Sequence, residues 1–367
     1  AAAVNIRSVA VISNLHALRA VASLMVVLHH GRGMIEPHFS GVSTLTIGAG
    51  GVDIFFVLSG VVITLSAHAH AVPASTFLRQ RIIRVVPLWW LALASVMLLL
   101  FVGLAPLGLQ KADVSALNFV RSMLFLPFER THGGVMPLLG VGWTLNYEMF
   151  FYAIFAILLL APELRRSLMI VAVMAALVLY GLYFRPEAVM ARFYTNPILL
   201  EFAVGVLLAQ IWIMLPDGSD PAVRAMARRL GILLMMIGLA GFVLAARPDN
   251  YSELMSYRVI LWGLPAVACV AGAMALERGG LRLASHGCAV LGAASYALYL
   301  FHPFVLQAVG KFGGIASAGS LRAVFLFVVA VTLSQLIAIA IHFRIERPMT
   351  DFLKRLRFGH SAPWRAS

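Results

Sequence analysis

Long apolar stretches follow one another along almost the whole chain, separated by short polar segments, and this repetition constrains the fold more than any other feature. A helix of about 20 apolar residues crosses the hydrocarbon core of a bilayer. Because that core offers no water to the backbone, such segments cross it as helices. The pattern predicts an all-α polytopic membrane protein, with about ten transmembrane helices around a polar cavity, at 14–31, 50–67, 81–104, 142–161, 167–184, 194–214, 230–246, 257–276, 289–309 and 321–343.

Composition argues against a set of soluble domains. Of the 367 residues, 61% are hydrophobic and 12% are charged, whereas soluble domains carry about 25% charged residues. No soluble segment or low-complexity tract interrupts the apolar pattern. We therefore expect a single transmembrane domain over 1–367, with its core at about 14–350 and a basic cytoplasmic tail at 351–367.

The basic residues lie between the apolar stretches and give the chain a net charge of +13. This distribution favours membrane lipids as partners and argues against nucleic acid. Placing both termini in the cytoplasm puts most basic residues on the inner side of the membrane. Cys269 and Cys288 form no paired-cysteine motif, and His68 and His70 have no acidic or cysteine companions. Neither a disulfide framework nor a metal site is therefore expected.

The first predicted span carries Arg19 near one end and two histidines, His29 and His30, at the other. Ionisable side chains are costly in a bilayer and usually mark a function. Helical geometry separates Arg19 from His30 by about 20° around the axis and about 16 Å along it, whereas His29 lies about 80° away. One polar stripe through the membrane is what a cavity lined by protein requires. The alternative is that these side chains lie at the two interfaces and reach water.

Charged residues also stand at the start of the second and third spans. Asp53 either pairs with an arginine, orients a histidine, or complements the helix dipole. Gly60 lies on the same face as Asp53 and would let another backbone approach closely. Arg81 and Arg84 are neighbours on one helix face. Arginine pairs suit phosphate recognition, although an isolated pair more often anchors the cytoplasmic end of a span.

The fourth and ninth spans each carry polar side chains on one face. In the fourth, Glu148 lies one turn before Tyr152, and a carboxylate at that depth needs a cationic or hydrogen-bonding partner. In the ninth, Ser295 and His302 share a stripe, with Tyr299 between them. The two helical turns between Ser295 and His302 exclude direct contact, so a Ser–His nucleophilic pair within that helix is unsupported.

Six segments, in this order, resemble the motifs of the acyltransferase 3 family of integral-membrane acyltransferases, over about residues 14–350. They are "LRAVASLMVVLHH", "GVDIFFVLSG", "RQRIIRVVPLWW", "WTLNYEMFFY", "SYALYLFHPF" and "ERP". Arg19 and His30 match the family's Arg–x10–His motif, and Arg81 and Arg84 match its RxxR motif. The run "PLLGVGWTLNYEMFFY" is most similar to the subgroup that acetylates bacterial exopolysaccharides, the succinoglycan-type acetyltransferases. His16 departs from the family, which commonly has Asp or Gln at that position.

The resemblance implies a membrane-bound O-acyltransferase of the bacterial inner membrane. It would transfer an acyl group, usually acetyl, from cytoplasmic acetyl-CoA to a hydroxyl of a surface or extracellular polysaccharide or its lipid-linked precursor. Acetyl-CoA would be the acyl donor, and no permanently bound cofactor is expected. A histidine can accept the proton of a sugar hydroxyl near neutral pH. His30 is therefore expected as the base, and Arg19 as a group that stabilises developing negative charge or contacts the donor.

The resemblance also implies roles for the remaining polar residues. Glu148 would orient the catalytic cavity or pair with an arginine. Arg81 and Arg84 would bind the phosphates of CoA. The substrate cavity would be lined by Asp53, Trp143, Tyr152, Tyr299 and His302.

Two other functions fit the same composition. A transporter or flippase that moves a sugar or lipid-linked intermediate without covalent chemistry would also have many spans and buried charges. Transporters often contain internal repeats, and the sequence shows none. A structural membrane subunit of a polysaccharide assembly complex would not explain why Arg19 and His30 lie on one stripe.

Overall fold

The computed structural model describes residues 12–39, 46–70, 72–104, 109–131, 133–216, 218–246, 257–283, 285–315 and 318–356. These residues are almost entirely helical and form no β-strand, only an isolated bridge between Glu129 and Val135. The predicted all-α class is therefore confirmed. Most of the tail predicted at 351–367 lies outside the described residues.

Fourteen α-helices are numbered here in chain order. A π-helical turn, Val259–Gly263, leads into α10, and another, His342–Glu346, joins α13 to α14. The helices are α1 (Ser13–Gly31), α2 (Gly50–Ala69), α3 (Ala74–Phe101), α4 (Ala116–Met123), α5 (Trp143–Leu158), α6 (Glu163–Phe184), α7 (Val189–Tyr194), α8 (Leu199–Met214), α9 (Pro221–Ala245), α10 (Leu264–Arg278), α11 (His286–Ala293), α12 (Ser295–Phe312), α13 (Ser320–Ile341) and α14 (Arg347–Arg355).

Eight helical segments among the described residues are long and apolar enough to cross a membrane. A ninth is the pair α11 and α12, whose axes differ by 64°. The chain is thus a multi-pass membrane protein. The span predicted at 289–309 is bent in the structure, because the helix breaks at Ala294. Next to the break, Gly292 packs so tightly on the His16 carbonyl of α1 that a side chain there would overlap it.

Helix α1 occupies the predicted first span. It is not among the eight segments that are apolar enough to cross a membrane, because it carries an arginine and three histidines. It packs against α2, α10, α11 and α12, while Val21, Leu24 and Leu28 remain exposed on its outer side. The Arg19 end of the polar stripe of α1 therefore meets protein, where its guanidinium bonds to Ser295. That placement removes much of the cost of holding Arg19 within a membrane.

Two helices begin well before their predicted starts, α3 at Ala74 instead of 81 and α9 at Pro221 instead of 230. Pro73 precedes α3 directly, whereas the Asp220 side chain caps α9 by accepting a hydrogen bond from the Ala222 amide at 2.7 Å. Both residue types favour helix starts. Arg79, which precedes the predicted third span, therefore lies inside α3 together with Arg81 and Arg84.

Helix α2 lies at the centre of the protein, with 72% of its most apolar stretch buried inside the structure. Helix α8 crosses it where Gly60 and Gly205 meet. A Cβ at Gly60 would overlap the Phe202 carbonyl, and one at Gly205 would overlap the Val57 carbonyl. The expectation that Gly60 admits a neighbouring backbone is confirmed. Helix α2 also packs against α1 and α5, which carry part of the candidate site.

Candidate active site

The polar stripe of α1 faces the polar stripe in the first half of α12. At one end, Nη2 of Arg19 donates to Oγ of Ser295 at 3.0 Å. At the other end, Nδ1 of His30 lies 3.0 Å from Nε2 of His302. The two helices therefore run parallel, and residues that the sequence could only place on separate stripes form one polar seam.

The hydrogen bonds of the two histidines fix where their protons lie when both rings are neutral. Nδ1 of His302 is 3.0 Å from the Leu298 carbonyl, which can only accept, so this nitrogen carries the proton. Nε2 of His302 is then an acceptor. Nδ1 of His30 faces this acceptor and also the Val26 carbonyl at 3.1 Å, so it is the donor in both contacts.

Nε2 of His30 consequently keeps its lone pair, and none of the described residues bonds to it. His302 is fully buried at 0% exposure, whereas His30 is accessible at the protein surface. The buried His302 thus orients the ring of His30, and the accessible His30 can accept a proton.

His29 has a different environment from His30. Its Nδ1 lies 2.7 Å from Nη1 of Arg32, which can only donate. The ring therefore faces the segment that follows α1 rather than α12. This arrangement agrees with the angular separation of the two histidines on the helix.

A cavity of about 80 Å³ lies beside the Arg19 end of the seam. Its volume exceeds the space that one water molecule needs. Helices α1, α2, α3, α5 and α12 contribute to its wall. Among its polar lining residues are Arg19, Ser59, Arg84, Thr144, Glu148, Ser295, Tyr296 and Tyr299. Three residues expected to be catalytic or donor-binding, together with Tyr299, thus surround one space.

Glu148 is supported by a tyrosine rather than by a direct ion pair. The hydroxyl of Tyr152, one turn further along α5, donates to Oε1 of Glu148. The Tyr152 ring in turn lies 5.8 Å from the guanidinium of Arg81, which is also stacked 5.3 Å from the ring of Phe77. Tyr152 therefore lies behind the cavity and holds the carboxylate that faces it.

The two arginines of the RxxR motif occupy different surroundings. Arg81 is packed on aromatic rings and donates to Oγ of Ser66 at 3.4 Å. Arg84 is exposed, lines the cavity, and has no hydrogen-bond partner among the described residues. Only Arg84 thus presents its guanidinium to a ligand in this arrangement, although both were expected to bind phosphates.

Tyr299 lies between the cavity and the histidine pair. Its hydroxyl is 2.8 Å from Oγ1 of Thr144 and donates to the Val141 carbonyl at 2.8 Å. Its ring centroid is 6.3 Å from that of His302. Tyr299 therefore lines this cavity, while His302 lies beyond it and contacts His30.

Asp53 is held in a buried ion pair with Arg258, the second residue of the span predicted at 257–276. Arg258 donates to both carboxylate oxygens, at 2.6 and 3.0 Å, and the two side chains are 5% and 0% exposed. Its guanidinium also lies over the rings of Trp143 and Trp262, at 5.6 and 4.9 Å. Asp53 and Trp143 therefore support this pair and do not line the cavity.

Glu201 of α8 is a second charged residue that the sequence-based assignment passed over. It is 1% exposed, and its carboxylate lies within hydrogen-bonding reach of the carboxylate of Asp53. Glu201 lies inside a predicted span and Arg258 at the edge of another. An ionisable residue in an apolar stretch indicates a function, so the sequence could have identified both as candidates. Among the described residues, no three His, Cys, Asp or Glu side chains cluster as metal ligands would.

Comparison with known proteins relates the chain to membrane acyltransferases and to exopolysaccharide production. A family model described as an acyltransferase domain matches residues 12–339. The exopolysaccharide production protein ExoZ of Rhizobium meliloti (strain 1021) is 32% identical over 324 residues, which cover 88% of this chain and 94% of ExoZ. BcsY of Komagataeibacter xylinus, named as a candidate membrane-bound transacylase, is 29% identical over 303 residues, which cover 78% of this chain and 70% of BcsY. No solved structure matches the chain.

Proposed function

The chain belongs to the acyltransferase 3 family, and on that premise we propose that it transfers an acetyl group from cytoplasmic acetyl-CoA to a hydroxyl of an extracellular polysaccharide or of its lipid-linked precursor. The polysaccharide acceptor is carried over from ExoZ, which is named for exopolysaccharide production. The observation that carries the catalytic part of the proposal is the hydrogen bond between His302 and His30, because it leaves Nε2 of His30 as a proton acceptor.

In the proposed reaction, Nε2 of His30 takes the proton of the acceptor hydroxyl. The hydroxyl oxygen forms a C–O bond with the acyl carbonyl carbon, and the C–S bond of the thioester breaks. The departing thiolate takes the proton from His30, which returns the base to its starting state. If an acyl-carrying intermediate forms first, His30 has the same task when the sugar hydroxyl attacks that intermediate.

Arg19 acts at the donor end of this arrangement. It lies about 16 Å along α1 from His30, so its guanidinium is too far away to stabilise an oxyanion formed beside that base. Its bond to Ser295 and its place in the cavity wall support a contact with the donor instead. Glu148, across the same cavity, keeps the local charge of Arg19 and Arg84 partly balanced.

The proposed orientation places both termini in the cytoplasm of a bacterium. The start of α1, with Arg19 and the cavity, then faces the cytoplasmic side, and His30 faces the opposite side. Basic residues of α14, which packs against α3, support this orientation because cytoplasmic segments are enriched in Lys and Arg. Donor and acceptor would thus approach the seam from opposite ends.

A transfer assay with radiolabelled acetyl-CoA and extracted polysaccharide, in membranes that contain the protein, tests the proposal. We expect His30→Ala to lower the rate by about 10²- to 10⁴-fold, the usual contribution of a general base. His29→Ala is the matched control. We expect it to change the rate less than about tenfold, because it removes no group that could take the proton.

Three outcomes would contradict parts of this proposal. Unchanged transfer in His30→Ala rules out His30 as the base. Equal losses in His29→Ala and His30→Ala refute the geometric distinction between the two residues. Failure of the wild-type protein to transfer label to any acceptor removes the acetyl-CoA assignment and favours movement of a substrate without covalent chemistry.

A further inference from the structure

Three ionisable side chains that the proposed reaction does not use meet inside the protein, between α2, α8 and the π-helical turn Val259–Gly263. They are Asp53, Glu201 and Arg258, and all three are buried. Among the described residues, no other cation forms an ion pair with either carboxyl group. If both acids were ionised, this acid–arginine cluster would therefore keep a negative charge, which is costly in a buried site within a membrane.

The hydrogen bonds of the acid–arginine cluster distinguish the two carboxyl groups. Arg258 donates to both oxygens of Asp53, at 3.0 and 2.6 Å. No described N–H or O–H group donates to the oxygens of Glu201, whose carboxyl group lies within hydrogen-bonding reach of Asp53. Ionised carboxylates only accept hydrogen bonds, so a bond between the two groups requires a proton on one of them. Because the bonds from Arg258 stabilise the ionised form of Asp53, the proton belongs on Glu201.

The packing around Glu201 also favours a neutral carboxyl group. Gly263, the last residue of the π-helical turn, packs directly on it, and a Cβ there would lie 2.9 Å from Oε1 of Glu201. The carboxyl group is thus enclosed by protein, where an ionised form without hydrogen-bond donors would be costly. A carboxylic acid instead has a hydroxyl that can donate, and its donation to Asp53 gives both groups a partner.

Arg258 connects the acid–arginine cluster to α1. Its Nη2 also donates to the Ala49 carbonyl, just before α2, at 3.1 Å. Next to Ala49, Gly48 packs so closely on α1 that a Cβ there would lie 2.7 Å from Cβ of His29. The start of α2 therefore lies against α1 at the residue that precedes His30.

Arg258 also connects the acid–arginine cluster to α12, through α5. Its guanidinium lies 5.6 Å from the ring centroid of Trp143, the first residue of α5. The next residue, Thr144, lines the cavity, and its Oγ1 is 2.8 Å from the hydroxyl of Tyr299. The ring of Tyr299 lies beside that of His302. The position of Arg258 thus influences both helices that hold the histidine pair.

We propose that Glu201 carries a proton and donates it in a hydrogen bond to Asp53, and that the resulting acid–arginine cluster, without net charge, positions the histidine end of the seam between α1 and α12. Glu201 is a positioning residue, because it acts through Asp53 and Arg258 and not on a reacting group. Its protonation is independent of the proposed acetyl transfer, whereas its effect on the rate rests on that function.

Infrared absorption of the purified protein, in a detergent without ester groups, tests for the proton. A protonated carboxyl group has a C=O stretching band that an ionised carboxylate lacks, and exposed carboxyl groups are ionised at about pH 8. We expect Glu201→Gln to lose such a band from the wild-type spectrum. Glu129→Gln, which replaces a half-exposed carboxylate in an ion pair, is the matched control and should keep the band. Equal carboxylic acid absorption in wild type and Glu201→Gln overturns the proposal.

The steady-state rate of acetyl transfer tests the positioning. Glu201→Gln keeps an N–H donor to Asp53 and should retain kcat within about twofold. Glu201→Leu is similar in size but has no donor, and should lower kcat by about three- to tenfold with an unchanged KM for acetyl-CoA. Thermal unfolding midpoints of both variants account for any loss of folded protein. Equal kcat values for the folded Gln and Leu variants overturn the positioning role.

A chemical measurement separates this inference from the proposed function. Diethyl pyrocarbonate modifies accessible neutral histidines, and mass spectrometry gives the rate of modification at His30. If the wild type transfers no acetyl group, this rate replaces kcat as the measure of position. We expect it to change in Glu201→Leu and to stay at the wild-type value in Glu201→Gln. The same rate in all three proteins overturns the positioning role even without acetyl transfer.

Discussion

Replacing His302 tests how much its hydrogen bond to the proposed base, His30, contributes to the rate of transfer. His302→Leu removes the ring nitrogen that accepts from Nδ1 of His30, whereas His302→Gln offers a carbonyl oxygen in its place. The lost hydrogen bond is worth about 0.5–1.5 kcal/mol, which corresponds to about a 2- to 13-fold lower kcat. The loss stays in this range because the Val26 carbonyl still holds the same nitrogen of His30 at 3.1 Å.

The assay is the steady-state rate of acetyl transfer at saturating acetyl-CoA, for wild type, His302→Leu, His302→Gln and His30→Ala. We expect His302→Leu to lower kcat and leave the KM for acetyl-CoA unchanged, and His302→Gln to recover most of the rate. A thermal unfolding midpoint for each purified variant accounts for any loss of folded protein. The reasoning is refuted if His302→Leu retains the full kcat, if it loses as much as His30→Ala, or if Gln and Leu behave alike in folded protein.

Two further predictions concern stability. Arg258→Met should lower the free energy of unfolding by about 3–5 kcal/mol, because it leaves the carboxylate of Asp53 buried without its cation. The control is Arg192→Met, in an ion pair whose two side chains are each 50% exposed, and it should lower the free energy of unfolding by less than about 1 kcal/mol. Thermal unfolding of both variants measures the difference, and equal effects would contradict the prediction. The second prediction concerns the carboxyl of Asp113. Desolvation raises its pKa, but hydrogen bonds from the amide and hydroxyl of Thr131, at 2.8 and 2.7 Å, and from the Gln110 amide lower the pKa below its ordinary 3.8. A lowered pKa in the folded state stabilises the protein above pH 3.8, and this stabilisation is lost as the pH falls through the pKa of the folded state. The thermal unfolding midpoint of the wild type should therefore approach that of Asp113→Asn as the pH is lowered. A difference between the two midpoints that does not change with pH would refute this linkage.

The helical architecture could be predicted because it depends on local properties of the chain. Apolar length predicts membrane-crossing helices, and the described residues contain eight such segments and one bent pair where the sequence predicts ten spans. The helix starts at Ala74 and Pro221 were missed by seven and nine residues, although Pro73 and the Asp220–Pro221 pair were visible signals. Hydropathy alone gave them no weight, because the first turns of both helices are polar.

The sequence could propose residues for the candidate site, but it could not show which of them contact one another. Periodicity placed Arg19 with His30 and Ser295 with His302, since residues on one helix keep a fixed angular relation. It could not show that His302 bonds to His30, 272 positions away in the chain. It also placed Asp53 and Trp143 in the cavity, although both contact Arg258 instead.

By itself, the sequence determined that this protein crosses a membrane with helices, that it resembles acyltransferases in six ordered motifs, and that two helices each carry a polar stripe. Composition and apolar length predict the first, the six motifs carry the second, and short-range periodicity predicts the third. Only the tertiary structure decided that the stripes face each other, that Arg84 lines a cavity while Arg81 stacks on aromatic rings, and that α11 and α12 meet at 64°. These features depend on packing between segments far apart in the chain, where the contact surfaces of both partners must be known together.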